Sequence, residues 1–319
     1  AASDVYKRQI YMRRVIGIGE TILDILFRND KPQAAVPGGS VYNGIISLGR
    51  MGEDVTFITE TGNDHVGKII LEHMRANGVH TEYVNVFAEG KSPVSLAFLN
   101  EANDAEYVFY KDYPNLRLDV SMPDVQADDI IMIGSYFAVT PVLRDKIKEL
   151  LDLARERGAI IYYDVNFRNT HVNEAIKLMP TILENFEYAD IVRGSTEDFY
   201  NMFRLTDPEK IYRQKVDFYC RHFICTDAAH DVHLFSGNFR KNYPVEKIET
   251  VSTVGAGDNF NAGVIYGLIR GRIRRADLDG LTETDWDKII RCGMAFSADV
   301  CGSVENSVSA GFVTKFKQK

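Results

Sequence analysis

Between Asp129 and Ala228 the chain repeats one pattern: a short apolar run, a polar cluster at its end, and then a helix or turn. Asp129 to Ile133 reads as a strand. Pro141 to Arg157 follows as a helix, with Leu143, Ile147, Leu150, Leu151 and Ala154 on one stripe. Ala159 to Tyr163 is the next strand and ends in Asp164-Val165-Asn166-Phe167-Arg168; Asp190 to Arg193 runs into Gly194-Ser195-Thr196-Glu197-Asp198; His222 to Cys225 runs into Thr226-Asp227-Ala228. Continuous apolar runs separated by helices belong to parallel strands buried on both faces. Open sheets of that kind bind ligands at the carboxyl ends of their strands, where these polar clusters fall. No Ser/Gly/Pro-rich linker and no internal repeat divides the chain.

The first third is richer in strands. Val15 to Glu20 and Ile22 to Phe27 read as extended, and Val55 to Thr59 is a strand before a helix that places Val66, Ile69, Ile70, His73 and Met74 on one face and stops at Gly78. Tyr83 to Phe87, Val94 to Leu99 and Tyr107 to Lys111 are short strand-like runs with turns between them. They predict a small antiparallel sheet apart from the main one. The expected organisation is one α/β domain over residues 12–319. Residues 1–11, which share no pattern with the first strand, are read as an extension foreign to the native chain.

The composition narrows the function. At 319 residues, 45% hydrophobic and 26% charged, the chain has an ordinary globular makeup and ample core. A net charge of −8 argues against nucleic acid or an anionic membrane as the main partner. No run approaches a membrane span and no leader pattern is evident, so a soluble, cytoplasmic protein is expected. Cys220 and Cys225 do not have CxxC spacing, and Cys292 and Cys301 fall in an apolar helical segment, so all four are read as buried reduced thiols. The seven histidines show no metal-binding spacing.

Ser252-Thr253-Val254-Gly255-Ala256-Gly257-Asp258 is a glycine-rich turn that opens an apolar helix. Gly255, Ala256 and Gly257 are small enough for backbone N–H groups to approach an anion, and the helix adds free amides and its positive dipole end. A carboxylate aimed at that place would oppose a phosphate, so Asp258 fits a group that accepts the proton of an attacking hydroxyl. It fits an N-terminal cap equally well. Gly38-Gly39-Ser40-Val41-Tyr42-Asn43 joins the β opening to a helix. Its glycines admit a close ligand, Asn43 can both donate to and accept from a sugar hydroxyl pair, and Asp24 can accept from two vicinal hydroxyls. Taken singly, such residues are more often solvated or capping.

In this order, from about Val15 to the C-terminus, these pieces resemble the ribokinase-like, or PfkB, family of carbohydrate kinases. The family's Asp-Thr-x-Gly-Ala-Gly-Asp is similar to Ser252–Asp258, its Gly-Gly-x-x-x-Asn to Gly38–Asn43, its glycine/acidic turn to Gly62–Gly67, and its Asp-x-Asn-x-Arg to Asp164–Arg168. The resemblance implies a three-layer α/β domain with a mainly parallel central sheet and a small β-sheet lid, drawn from about 21–40 and 82–112. It implies Asp258 as catalytic base and Gly255, Ala256 and Gly257 as the anion hole. Asp24, Gly38, Gly39, Asn43 and Arg168 would bind the sugar, and Asn166, Ser195, Asp198, Thr226 and Ala228 the nucleotide side. ATP and Mg2+ are the implied cofactors, and a homodimer through the lid the implied assembly.

Three departures stand out. Ser252 replaces the signature's first carboxylate, which in relatives helps hold an activating monovalent cation. Ser195-x-x-Asp198 replaces Asn-x-x-Glu. Thr226-Asp227-Ala228-Ala229-His230-Asp231 keeps the hydroxyl of Thr-x-Gly-x-x-Gly but loses both glycines, and Ala228 spares the backbone contact only at negative φ. The resulting expectation is ATP-dependent phosphorylation of a sugar's primary hydroxyl, most like the fructokinases, with 2-keto-3-deoxygluconate kinase and ribokinase activity as alternatives. A catalytically impaired sugar- or nucleotide-binding regulator is the alternative of another class. Gly17-Ile18-Gly19 lacks the third glycine of a dinucleotide fingerprint and argues little for a dehydrogenase.

Overall fold

The computed structural model describes residues 13–99, 105–237 and 239–317; the 1–11 segment read as an extension lies outside them. The strands are β1 (Arg14–Ile18), β2 (Ile22–Arg28), β3 (Lys31–Gly38), β4 (Asp54–Gly62), β5 (Val79–His80), β6 (Val84–Phe87), β7 (Lys91–Leu99), β8 (Ala105–Asp112), β9 (Ile130–Gly134), β10 (Ile160–Asp164), β11 (Ile191–Ser195), β12 (His222–Asp227), β13 (Asp231–Ser236) and β14 (Phe239–Pro244). The α-helices are α1 (Ser40–Arg50), α2 (His65–Ala76), α3 (Arg144–Arg157), α4 (Ala175–Tyr188), α5 (Thr196–Phe203), α6 (Pro208–Ile211), α7 (Ala256–Arg270), α8 (Glu283–Cys301) and α9 (Ala310–Phe316).

The central sheet has the order β14-β13-β12-β11-β10-β9-β1-β4-β5, with β6 also bonded to β4. Neighbours from β12 to β5 are parallel, whereas β13 and β14 fold back antiparallel at one edge. Alternation along the strands builds the layers. Val15, Ile130, Met132, Ile160 and Tyr162 face Ile45, Ile265, Leu268 and Ile290 of α1, α7 and α8. Ile16, Ile131, Ile133, Ile161 and Tyr163 face Ile147, Leu151 and Ile182 of α3 and α4. The central strands therefore have no polar face to alternate with, which is why they read as continuous apolar runs.

A separate sheet, β3-β2-β7-β8, stands beside this body. Two expectations about it are corrected. Its outer pairs are antiparallel, but its central pair, β2 with β7, is parallel. The run Tyr83 to Phe87 does not join it: β6 pairs in parallel with the second half of β4, Thr59 against Val84 through Gly62 against Phe87. The reason is length. β4 is nine residues long, its first half takes β5 and its second half has room for β6.

Helix α7 carries the glycine-rich turn and is anchored by close packing on α8. A Cβ at Gly263 would stand 2.4 Å from the Cys292 carbonyl oxygen, and one at Gly267 would stand 2.8 Å from the Ile289 Cα. Small residues one turn apart thus let the two backbones touch. The cysteines are all free; Cys220 and Cys225 are buried, while α8 leaves Cys292 and Cys301 half-buried, short of the full burial expected. Among the described residues no helix is long and apolar enough to cross a membrane.

Candidate active site

Gly255 precedes α7 in the left-handed region (φ 78°), and a Cβ there would come within 3.0 Å of the Asn306 carbonyl oxygen. The turn is clamped from the side: Asn259 Nδ2 donates to the carbonyls of Gly255 and Asn306, each at 2.8 Å. Ala256, Gly257 and Asp258 form the opening turn of α7, whose first amides have no intrahelical acceptor. The helix therefore presents N–H groups and positive potential at this end.

Asp258 is the third residue of α7 and only 6% exposed. Asn43 Nδ2 donates to its Oδ2 at 2.8 Å. Burial pushes the carboxyl up to about 6; the Asn43 hydrogen bond, the Arg168 charge and a Ser40 hydrogen bond oppose that shift, and the Asp164 charge adds to it. A simple cap would bond its own helix amides, whereas this carboxylate is tied to α1. Asn43 reaches it because α1 begins directly after Gly39, which adopts φ 136° and whose Cβ would collide with the Glu20 carbonyl oxygen at 2.2 Å. Only glycine fits there.

Asp24, on β2, lies on the same side. Its carboxylate accepts from Ser95 Oγ of β7, and Gly38 packs so close that a Cβ would sit 2.6 Å from Asp24 Oδ2. Burial pushes Asp24 up to about 6 as well; the Ser95 bond opposes this, and the Glu20 and Asp258 charges add to it. Two carboxylates near 6 thus share one region, each disfavouring the other's ionisation. Arg168 is exposed at the loop after β10, and its charge acts on Asp258 and on Tyr107 of β8. Register places Tyr107 and Phe109 on the Asp24 and Ser95 face of the small sheet. The sheet thus turns this face, Asp24 included, toward Asp258.

The residues assigned to the nucleotide side are distributed differently from one another. Asn166 (φ 37°) donates through Nδ2 to Ser40 Oγ at 2.6 Å, which turns it toward the Asp258 end. Ser195 and Asp198 cap α5: Asp198 Oδ2 accepts from the Ser195 N–H and Oγ, each at 2.7 Å, and Asp198 N–H returns a bond to Ser195 Oγ at 3.1 Å. Burial, reinforced by the Asp164 charge, raises the Asp198 carboxyl. Thr226, at the end of β12, accepts from Arg193 Nη2 at 2.6 Å. Ala228 has φ 45°, so the negative φ under which it would spare the contact is not met. The Asp227 to Asp231 hairpin closes over three residues, Asp227 facing Asp231, and that tight turn forces the left-handed conformation. Ser252 Oγ accepts the Val254 N–H at 3.2 Å, within its own turn.

Several residues of the region escaped the sequence reading. Ser40 and Ser95 hold the two carboxylates. Glu20 accepts from Tyr113 OH at 2.5 Å and from Lys111 Nζ at 2.8 Å, tying the end of the small sheet to the body. Buried Glu60 anchors Arg117 Nε at 2.6 Å and the Leu118 N–H at 2.8 Å. Arg193 pairs with Asp164 at 3.0 Å in the interior. Their partners are distant in sequence, and no local motif marks them. Among the described residues no group of three or more His, Cys, Asp or Glu could hold a metal ion. Magnesium is held mainly by nucleotide phosphates with one or two carboxylates; at the Thr226 end of the sheet the acidic groups are Asp227, which follows Thr226 in β12, and Asp164 and Asp198, whose charges act on Arg193.

Comparison with known proteins gives the family and agrees with the fold. The profile of the pfkB family carbohydrate kinases matches residues 12–309. The chain is 27% identical over 263 residues to the fructokinase of Rhizobium leguminosarum bv. trifolii, covering 80% of this chain and 79% of that one. It is 26% identical over 251 residues to the 5-dehydro-2-deoxygluconokinase of Geobacillus thermodenitrificans, covering 73% and 72%. Among solved structures, a double mutant of the Vibrio cholerae fructokinase with fructose, ADP and potassium ion bound superimposes with a TM-score of 0.82 at 18% identity, covering 96% and 98%. The Salmonella enterica aminoimidazole riboside kinase, bound to aminoimidazole riboside and an ATP analogue, gives 0.80 at 20%, covering 96% and 99%. With the ribokinase-like fold and nearly its whole length matched, the chain belongs to the pfkB family of carbohydrate kinases and is a sugar kinase, a transferase that uses ATP.

Proposed function

We propose that this kinase transfers the γ-phosphoryl group of ATP to a primary hydroxyl of a sugar, with fructose the first-ranked acceptor. The observation that carries the reading is Asp258: a buried carboxyl pushed up to about 6, joined to Asn43 and placed at the amide-rich start of α7. A base in that range is ionised at neutral pH yet basic enough to take a proton as the hydroxyl attacks. Gly255, Ala256 and Gly257 provide amides for the transferring group, and Asp24, Gly38, Gly39 and Asn43 hold the sugar hydroxyls. Arg168 can donate to a carboxylate as well as to a hydroxyl or keto oxygen, which keeps 2-keto-3-deoxygluconate and ribose as alternatives. Mg2+ carried by the nucleotide would neutralise phosphate charge in this site.

The small sheet acts as a lid, because its Asp24, Tyr107 and Phe109 face is turned toward Asp258. Its other face is apolar, with Ile25, Leu96 and Phe98 half-buried and Val108 and Tyr110 exposed, the last by 59%. An apolar face beside the open edge of β8 favours pairing with a second copy of the chain. With Ser252 closing its own turn, no carboxylate remains at that position to hold a monovalent cation, which supports turnover without potassium. A second reading, a sugar- or nucleotide-binding regulator with little turnover, is favoured by the engagement of Asp198 in a helix cap and by the strained Ala228.

The deciding experiment measures ADP release from ATP and Mg2+ with fructose, ribose, 2-keto-3-deoxygluconate and adenosine, using Asp258→Asn as control. Turnover of one acceptor that is lost in the variant supports the kinase and names its substrate. Binding of sugar or ATP without turnover of any acceptor favours the regulator.

A further inference from the structure

Arg193 belongs to none of the motifs above, yet it is built into the same end of the sheet. It is the central residue of β11, 6% exposed, and its register partner in β10 is Asp164. Nη1 donates to Asp164 Oδ1 at 3.0 Å and Nη2 to Thr226 Oγ1 at 2.6 Å. A guanidinium has more N–H donors than these two bonds use. Its Nε is buried and has no acceptor among the described residues. The head also lies against the anion-hole turn: a Cβ at Gly257 would stand 3.1 Å from Nη2 and 3.2 Å from Nη1.

This cation cannot swing away to find other partners. Asp164 is itself held through Oδ2 by Asn261 Nδ2 at 2.8 Å, and Asn261 accepts from Tyr162 OH at 2.9 Å. Asn261 is on α7, one turn beyond Asp258. Strands β10 and β12 and helix α7 therefore fix the guanidinium together. A buried donor without an acceptor is destabilising in the free protein, and spare, rigidly held Arg donors suit phosphate oxygens.

We propose that Arg193 is a further phosphoryl-binding residue, its spare N–H groups donating to the terminal phosphates of ATP as they seat on Gly255–Gly257. The proposal rests on reading that turn as the phosphoryl site. The rival role for Arg193 is to neutralise Asp164 and nothing more.

Equilibrium binding of ATP, ADP and AMP separates the two. Arg193→Gln alone strands the buried Asp164 carboxylate and is expected to unfold, so the comparison is between Asp164→Asn and the double variant Asp164→Asn/Arg193→Gln, which lacks both charges. The double variant is expected to bind ATP about tenfold to a hundredfold more weakly than Asp164→Asn, with AMP affinity unchanged. Equal ATP affinity in the two variants overturns the proposal, and so does equal weakening of ATP and AMP. Arg193→Lys keeps the charge pair and gives an independent arm: selective weakening of ATP supports the assignment, and parallel weakening of AMP refutes it. Wild-type protein that binds AMP but gains nothing from the added phosphates would overturn the phosphoryl reading of the turn, and this proposal with it.

Discussion

Replacing Asp258 with asparagine should stabilise the ligand-free protein while disabling it. Burial moves the carboxyl from an ordinary 3.8 up to about 6. At ~1.4 kcal/mol per unit, the ionised form is disfavoured in the folded state by ~3 kcal/mol at neutral pH. The sign follows from linkage: a raised carboxyl means that the folded protein binds more protons than the unfolded chain between about 4 and 6, so this contribution favours folding below that window and is lost as pH rises through it. Asparagine keeps the shape and an oxygen for Asn43 but carries no charge to desolvate. After allowance for relaxation, Asp258→Asn should gain on the order of 1–3 kcal/mol at pH 8. The gain should shrink toward zero at pH 4, where the wild-type carboxyl is already protonated. Urea unfolding of both proteins at the two pH values, without sugar or nucleotide, measures this directly. In the same preparation kcat should fall about a hundredfold to ten-thousandfold. A variant no more stable than wild type at pH 8, or one whose advantage persists unchanged at pH 4, would refute the desolvation argument.

The other predictions use different observables. The kcat/KM profile for sugar should fall on the acid side with a midpoint near pH 6, because both Asp258 and Asp24 are pushed up to about 6; a flat profile down to pH 5 would contradict that. Asp24→Asn should raise KM for the sugar by about tenfold to a hundredfold, the value of one or two charge-assisted hydrogen bonds, with a smaller effect on kcat. Ala228→Gly should stabilise the fold by about 1 kcal/mol by relieving φ 45°, readable as a rise in the urea midpoint. If the lid pairs two copies, Tyr110→Lys should convert a dimer to a monomer in sedimentation, and an unaltered dimer would place the interface elsewhere.

What was legible in the sequence was contiguous. The turn Gly255–Asp258 and the segment Gly38–Asn43 each carry their chemistry within a few residues, and the φ values at Gly39 and Gly255 account for the glycines that mark them. The apolar runs at β1, β9 and β10 were equally legible, since burial on both faces removes polar residues from a strand. Less legible was the hairpin β13–β14: β13 mixes buried with half-buried residues, but β14 runs through half-buried and exposed positions with Tyr243 alone buried and gives only weak apolar contrast. The run Tyr83 to Phe87 announced a strand but not its partner. Ser195 and Asp198 look like ligand-facing polar residues in sequence, and a capping box uses the same residue types at the same spacing.

The sequence by itself determined that the chain makes a parallel α/β sheet with polar strand ends, that an anion-accepting turn opens a late helix, and that a second glycine pair opens an early one. These follow from local rules: side-chain periodicity, the special φ of glycine, and the unsatisfied amides of a helix start. Only the tertiary structure decided that Asn43 meets Asp258 across 215 residues, that Ser95 meets Asp24, and that buried Arg193 joins Asp164, Thr226 and Gly257 in one group. The physical reason is strand order. The sheet places β10, β11 and β12 side by side and sets β1 between β9 and β4, and only that arrangement brings charges on separate strands into the same low-dielectric space, where they fix one another's protonation and position.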